Sequence, residues 1–446
     1  MKNKVKLAWN LLSENCAKLV EYLKQILHSK EFVNRHKESE KDFTRNRIFP
    51  FQTLFLYFIN FIKGSYQDEL DHYFKALFKF DVSVAFVTKM ALSLARRKLK
   101  YSAFIEFNRH LLEFFCDHFK NIKTWHGFNL LAIDGSTLKL FKYKEIREHF
   151  GMMKPKNGPA CPMARVSQMF DVLNKLTIDA LIRPYRVGER DLLREHMLNL
   201  LPGDLLLLDR GYPAYWIFNL IMSQGGNFCA RISKQWKIVQ DFIESGAQEA
   251  FVDLHASLQS KKECNDMGLD VMPLRLRLIR VELVDSEEIE VLITSLTDEQ
   301  KYPQEIFKDL YHKRWPVEVD YLFMKQRLEV GNFSGKSELS VYQDFHAKVF
   351  AKNLTVVLAS PAQELVEQES EDKKHEYQIN MTQAFSKSKD TLFLLFERPR
   401  EIVSQLIQSI HAVFMAATEP IRPGRKFKRA HKVNKREYYM NYKPCR

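Results

Sequence analysis

Two short apolar runs, each ended by an aspartate, constrain this chain more than any other feature. Residues 128–133 read Phe-Asn-Leu-Leu-Ala-Ile and stop at Asp134-Gly135, and residues 205–208 are all leucine and stop at Asp209-Arg210-Gly211-Tyr212. A short apolar run bounded by turn residues fits a strand buried on both faces. Such a strand cannot hold an unpaired carboxylate in its middle, but its carboxyl end can present one at the mouth of a crevice. Side by side, two such strands would bring Asp134 and Asp209 together, and the pair would repel unless a divalent cation lay between them. The plainer reading is that each aspartate only caps the turn that follows, since Asp-Gly and Asp-Arg-Gly are ordinary turn sequences.

Further along, Tyr311, Arg314, Glu318 and Lys325 stand at offsets 0, 3, 7 and 14. On a continuous helix these offsets fall within one stripe of about 60°. A carboxylate flanked by two cations and a phenol suits a metal and phosphate site, with Glu318 on the metal and Arg314 and Lys325 on phosphate oxygens. The alternative is a solvated, salt-bridged face, because Arg314 and Glu318 have i,i+4 spacing. Pro316 requires that the helix begin near Trp315 or kink there.

These four spacings match the signature Y-x2-R-x3-E-x6-K, and the chain resembles the DDE transposases of bacterial insertion sequences, in the cut-and-paste branch that carries it. The acidic motifs match as Ala132-Ile133-Asp134-Gly135-Ser136 and Leu208-Asp209-Arg210-Gly211-Tyr212. Ala164-Arg165-Val166-Ser167, Gly188-Glu189-Arg190-Asp191 and Asn332-Phe333-Ser334-Gly335-Lys336 also resemble family segments, as does Tyr438-Tyr439-Met440-Asn441-Tyr442 near the C-terminus.

The resemblance implies an α/β fold: a ribonuclease-H-like catalytic core interrupted by a β-rich insertion and flanked by helical N- and C-terminal regions. It implies that Asp134, Asp209 and Glu318 hold two Mg²⁺ (or Mn²⁺) ions, and that Tyr311, Arg314 and Lys325 bind DNA phosphates near the cut. Magnesium prefers carboxylate oxygens, and two such ions about 3.5–4 Å apart can serve the attacking and leaving oxygens of an in-line phosphoryl transfer. The implied activity is cut-and-paste transposition by strand cleavage, with a hairpin intermediate, and strand transfer. The implied partners are double-stranded DNA (terminal inverted repeats and target) and a second copy of the chain in the DNA complex. Hairpin-forming relatives stack a flipped base on a tryptophan of the insertion. Here the insertion offers Trp236, which is otherwise a packed or surface aromatic. Two alternatives remain: a catalytically silent DNA-binding derivative, and a ribonuclease-H-like nuclease or resolvase that cuts without joining.

Pattern reading divides the chain into a helical DNA-binding region (1–125), a first part of the core (126–226), the β-rich insertion (227–289), a second part of the core (290–345) and a helical C-terminal region (346–446). Apolar residues at helical spacing mark 54–62 and 104–119. Strands at 164–171 and 176–184 flank Asn174-Lys175 at hairpin spacing. Helices are expected at 191–200 and 213–222, strands at 227–232, 275–284 and 289–294, and helices again from 303. Residues 360–390 read as an exposed connection and 391–415 as a helix, the latter a surface for dimerisation.

The net charge of +13 makes a polyanionic partner plausible. Between Ile421 and Arg446 there are ten Lys/Arg and one acid, a net +9. Arg425, Lys426, Lys428, Arg429, Lys432, Lys435 and Arg436 would add salt-sensitive DNA affinity, unless the tail is only a solubilising end. Residues 83–100 read as one helix, with Val84, Val87, Ala91 and Leu94 on an apolar stripe. Lys89, Ser93, Arg96, Arg97 and Lys100 lie on the other side, a DNA-facing surface or an ordinary solvated one. The six cysteines form no C-x-x-C pair, so neither a disulfide framework nor a zinc knuckle is indicated. The N-terminus makes a poor signal peptide, and the most apolar stretch, 49–62, is too short to span a membrane. A cytoplasmic, nucleoid-associated location follows as the expectation. Residues 331–337 resemble a P-loop but have one residue too few between the glycines, so no nucleotide cofactor is expected.

Overall fold

The two apolar runs become neighbouring parallel strands at the centre of a mixed sheet. A computed structural model of the chain describes residues 2–45, 48–155, 158–282, 289–422, 438 and 443, the side chains of 2–12 excepted. Six helices come first: α1 (Lys2–His28), α2 (Lys30–His36), α3 (Phe51–Phe58), α4 (Tyr66–Phe78), α5 (Lys89–Arg96) and α6 (Ser102–His118). Then follow β1 (Asn129–Lys139), α7 (Lys144–Phe150), β2 (Met152–Met153), β3 (Cys161–Asp171), β4 (Leu176–Pro184), α8 (Glu189–His196), β5 (Asp204–Leu208), α9 (Tyr215–Ser223) and β6 (Asn227–Ile232). Next are α10 (Lys237–Glu244), β7 (Glu249–Leu254), α11 (Leu258–Asp266), β8 (Leu274–Glu282), β9 (Ile289–Thr294), α12 (Ile306–His312) and α13 (Pro316–Gln326). The chain closes with α14 (Glu338–Ser370), β10 (Tyr377–Ile379), α15 (Met381–Ser388), α16 (Leu392–Glu397), α17 (Arg400–Ala416) and β11 (Thr418–Pro420).

Two compact units result: one of Met1–Lys120, Lys139–Met163 and Phe323–Arg446, the other of Asn121–Leu138 and Ala164–Leu322. The second unit is built on a nine-stranded sheet that runs β3-β1-β5-β6-β9-β8-β7, with β4 paired along β3 and the short β2 paired to the start of β3. β3 and β4 are an antiparallel hairpin, β1, β5 and β6 are parallel, and β9, β8 and β7 extend the sheet antiparallel. An antiparallel hairpin on one side of a first strand and two parallel strands on the other is the ribonuclease-H-like arrangement. The hairpin turn is fixed by Asp171, whose Oδ1 accepts from the Leu173 and Asn174 amides, while Lys175 takes the left-handed φ of 58°. Leu131, Ile133, Leu206 and Leu208 join the aromatic side of α9 in one core, whereas Leu130, Ala132, Leu205 and Leu207 are equally buried but outside that cluster. Burial of alternate residues on both faces is why these strands read as unbroken apolar runs.

The first unit is helical, and α14, 33 residues long, is buried along most of its length. Phe32, Phe55, Phe104, Phe107 and Phe350 form an edge-to-face and stacked aromatic core. Among the described residues no helix is long and apolar enough to cross a membrane.

Several expectations are corrected. The helix expected over 83–100 is only α5, capped by Thr88, whose side chain accepts from the Ala91 amide. Val82, Val84 and Val87 precede it in non-helical backbone, as β-branched residues around Ser83 would favour. The exposed connection expected at 360–390 is largely helix: α14 runs on to Ser370 through Pro361, because Ala362, Leu365 and Val366 are buried. The helix expected at 391–415 breaks between α16 and α17, where Pro399 caps the second. β1 does not end at Asp134 but continues to Lys139. What ends at Ile133 is its parallel pairing with β5.

Candidate active site

Strand register brings the first acids together. Ile133 lies opposite Leu208, and Leu208 opposite Ala230. The next residues along these three strands are Asp134, Asp209 and Arg231. Asp134 Oδ1 accepts from the Gly135 amide at 2.9 Å. Asp209 Oδ1 accepts from the Arg210 amide at 2.6 Å, from Arg231 Nη2 at 2.7 Å and Nε at 3.2 Å, and from the Tyr311 hydroxyl at 3.5 Å. Arg231 Nη1 donates to Glu290 Oε1 at 2.6 Å.

The third acid arrives on a helix that is not continuous. α12 ends at His312 and α13 begins at Pro316, so the single stripe expected from Tyr311 to Lys325 is broken by the proline's missing N–H. Tight i→i−3 bonds carry the chain across: Arg314 N to Tyr311 O, Trp315 N to His312 O and Glu318 N to Trp315 O, at 3.0–3.1 Å. The side chains still converge. Arg314 Nη2 donates to Glu318 Oε1 at 2.6 Å, and its guanidinium lies 5.8 Å from the ring centres of Tyr311 and Trp315. Arg314 is 4% exposed and its Nε is buried without a hydrogen-bond partner. Its guanidinium therefore keeps a donor that no described residue uses.

The two aspartates titrate apart. Burial, with the charges of Glu318 and Asp209 adding to it, pushes the Asp134 carboxyl up to about 6, against the pull of the Gly135 amide and Arg314. Burial acts on Asp209 as well, but the Arg210 amide, Arg231 and Arg314 outweigh it and hold that carboxyl below its ordinary value. Burial also raises the Tyr311 hydroxyl, keeping it a neutral donor. All three acids therefore belong to one electrostatic neighbourhood.

Among the described residues, no group of three or more His, Cys, Asp or Glu is gathered closely enough to hold a metal ion. Asp209 and Glu318 face arginines instead. The donor chemistry nonetheless fits Mg²⁺ or Mn²⁺: the donors are carboxylate oxygens, and the half-buried Asp134 carries repulsion from Glu318 and Asp209 that a divalent cation would relieve.

Gly135 and Gly211 line the same place as Glu189, the acid of the Gly-Glu-Arg-Asp segment. A Cβ on Gly135 would sit 3.0 Å from Glu189 Cγ, so the strand passes too close for a larger residue unless that side chain moves. Arg165 Nη1 holds Glu189 Oε1 at 2.9 Å, and Arg190 fastens the carbonyls of Gly211 and Pro213.

The other sequence-predicted residues scatter. Lys325 lies in the last turn of α13 and falls in the helical unit, where its carbonyl accepts from the Tyr438 hydroxyl at 3.4 Å. Trp236 is the N-cap of α10 and packs, half-buried, against the sheet unit's core. On α5 and just after it, Lys89 and Arg97 are exposed, while Lys100 is half-buried with Nζ 3.4 Å from the Arg35 carbonyl. Arg96 is corrected: it is an interior residue, not a DNA-facing one. It is 4% exposed and donates to Gln343, Tyr66, Ser334 and Asp344. Gly335 makes room for it, since a Cβ there would lie 2.6 Å from Arg96 Nη1. The basic residues Arg425 to Arg436 lie outside the described residues.

Sequence reasoning missed Arg231 and Glu290. The signal was present, for 228–230 is a third apolar run ended by a charge. It was also silent on Tyr321, whose hydroxyl donates to the Asp134 carbonyl at 2.9 Å.

Residues 125–354, about half the chain, match the family model described as a transposase DDE domain. The chain is 25% identical over 241 residues to the transposase InsG for insertion sequence element IS4 of Escherichia coli (strain K12), covering 52% of each. It is 26% identical over 127 residues to the putative transposase InsZ of the same organism, covering 27% of this chain and 42% of that one. Over 163 residues it is 27% identical to the putative transposase y4zB of Sinorhizobium fredii (strain NBRC 101917 / NGR234), covering 35% and 43%. The chain thus spans about half or less of the length of these curated relatives. A solved piggyBac transposase synaptic complex with hairpin DNA aligns over 89% of this chain and 81% of its own, at 10% identity and a TM-score of 0.42.

Proposed function

The chain belongs to the transposase DDE domain family, and from that premise we propose that it mobilises an insertion sequence by cut-and-paste transposition, cleaving DNA and transferring the freed strand. Asp134, Asp209 and Glu318 are read as the ligands of two Mg²⁺ (or Mn²⁺) ions. Bound there, such ions supply charge stabilisation to the attacking and leaving oxygens of an in-line phosphoryl transfer. The observation that carries the reading is the strand register, which sets Asp134 beside Asp209 one residue beyond the Ile133–Leu208 pair.

The chain's own residues do the rest. Arg314, with its unpartnered Nε, turns from Glu318 toward a DNA phosphate. Arg231, backed by Glu290, keeps Asp209 ionised and aimed. The Tyr311 hydroxyl and the Lys325 ammonium hold phosphates beside the cut. Serial chemistry at one site then needs only a change of nucleophile: water for the first strand, the new 3′-hydroxyl for a hairpin on the transposon end, water again to reopen that hairpin, and the regained 3′-hydroxyl for the target. Two copies of the chain hold the two inverted repeats.

The test is cleavage and joining of a DNA end with and without Mg²⁺. Metal-dependent cutting lost in Asp134→Ala, Asp209→Ala and Glu318→Ala supports the reading, and activity surviving any one of them removes that residue from the site. Cutting without joining points to a nuclease, and binding without cutting to a silent derivative.

A further inference from the structure

Behind the acids lies a buried relay that the proposed chemistry does not use. Ser167 Oγ on β3 stands 2.9 Å from His196 Nε2, and His196 Nδ1 stands 2.7 Å from Asp179 Oδ2 on β4. In outline this is a serine–histidine–aspartate constellation. Ser167 is only 1% exposed and His196 is fully buried, so no substrate reaches the hydroxyl and nucleophilic catalysis is excluded.

The relay ends instead on the site. The Ser167 hydroxyl donates to the Asp134 carbonyl at 3.3 Å, and the Tyr321 hydroxyl donates to the same oxygen at 2.9 Å. A carbonyl has two lone pairs, so the one oxygen can accept from both hydroxyls. Tyr321 stands three residues, about one helical turn, after Glu318 on α13. The neighbouring Asp320 accepts from Gln168 Nε2 at 3.2 Å, and Gln168 Oε1 accepts in turn from Thr177. Helix α13 with Glu318 is therefore joined to strand β1 at Asp134 through the Tyr321 hydroxyl, and Ser167 ties the same carbonyl to β3. A site that orders carboxylates against their repulsion needs such outer partners.

We propose that Tyr321 and the Ser167–His196–Asp179 relay are positioning residues that fix the Asp134 backbone relative to Glu318, so that both carboxylates can reach one divalent ion. This rests on the metal-site reading above. The test titrates Mn²⁺ into the full chain, following the free-ion signal by electron paramagnetic resonance, with cleavage measured across the same Mn²⁺ range. Tyr321→Phe weakens Mn²⁺ binding about tenfold, and saturating Mn²⁺ restores most of the cleavage rate. Ser167→Ala weakens binding about threefold. Binding to a DNA end in chelator stays at the wild-type level in both. Tyr73→Phe, which removes a hydroxyl bond to the Thr53 carbonyl in the helical unit, is the control and leaves Mn²⁺ affinity unchanged.

Folded Tyr321→Phe and Ser167→Ala proteins with wild-type Mn²⁺ affinity overturn the proposal and leave the site reading standing. So does a loss of cleavage by the same factor at every Mn²⁺ concentration, which marks a merely structural role. Should Tyr321→Phe fail to fold, Ser167→Ala decides alone. A wild-type chain that binds no Mn²⁺ overturns the site reading and this proposal together.

Discussion

Arg96 in the helical unit and Arg314 in the sheet unit are buried to the same 4%, yet they are held in opposite ways. Arg96 donates to Gln343, Tyr66, Ser334 and Asp344 and lies 4.8 Å from the ring centre of Phe58. Its partner Asp344 is as buried as it is, at 5% side-chain exposure. Among the described residues Arg314 makes one ion pair, to Glu318, whose side chain is 32% exposed, and its Nε is left unpartnered. The first arrangement is complete and serves the fold. The second leaves a buried donor without a partner among the described residues, and that donor is the one the proposed phosphate contact would use.

The sharpest way to break this contrast is to remove each arginine. Arg314→Ala should lower cleavage of a DNA end about 10³-fold, the scale of losing a phosphate-clamping arginine. Because Glu318 is part-exposed where Asp344 is not, the same change should cost less stability than Arg96→Met does, checked by urea denaturation. Arg96→Met should do the reverse. Leaving Asp344 charged and unpaired in the interior costs about 3–5 kcal/mol, and protein still folded at low temperature should cleave at close to the wild-type rate. If Arg314→Ala instead costs about 3–5 kcal/mol of stability while the folded protein cleaves at the wild-type rate, the two arginines play the same part.

The same contrast explains what could be read from sequence. Asp134 and Asp209 were legible because a strand buried on both faces leaves an apolar run, and a charge ending such a run stands out. Arg231 obeys that rule, but Arg in place of Asp at the end of Cys229-Ala230 carries no motif to draw the eye. Arg96 misled because composition shows that a residue is basic, not whether its helix turns it inward. Its partners Gln343, Ser334 and Asp344 lie more than two hundred residues away along the chain, beyond any local pattern. The break at Pro316 was anticipated as one of two outcomes, since proline forbids the continuous helix without saying where the chain resumes. The Ser167–His196–Asp179 relay joins three elements at unremarkable spacing and becomes visible only in three dimensions.

A smaller effect separates the units by pH. Asp134 is lifted to about 6 from an ordinary value of 3.8. Its folded state therefore binds a proton more tightly than the unfolded chain, so its contribution is fully present below about pH 4 and is lost as pH rises through 6. Without metal, Asp134→Asn should be more stable than wild type by about 1–3 kcal/mol at pH 7, and the difference should vanish below pH 4. Asp171 is lifted to about 6 as well, but it titrates in both proteins and cancels in the difference. Mg²⁺ should stabilise wild type and leave Asp134→Asn nearly unmoved. Equal stabilities across the range would show that Asp134 carries no strain for a cation to relieve.

The smallest effect sharpens the lesson of Arg96 on its own helix. Lys89, at the start of α5, and Arg97, its C-cap, are exposed where Arg96 is not. If that outer face meets DNA, each residue neutralises a phosphate and releases a counterion. The double substitution Lys89→Ala/Arg97→Ala should then flatten the slope of log affinity against log salt by about 1.8 and change stability by no more than about 0.5 kcal/mol. Duplex binding measured across salt concentrations gives the slope. An unchanged slope would mean that this face is merely solvated, leaving α5 to serve the fold through Arg96 alone.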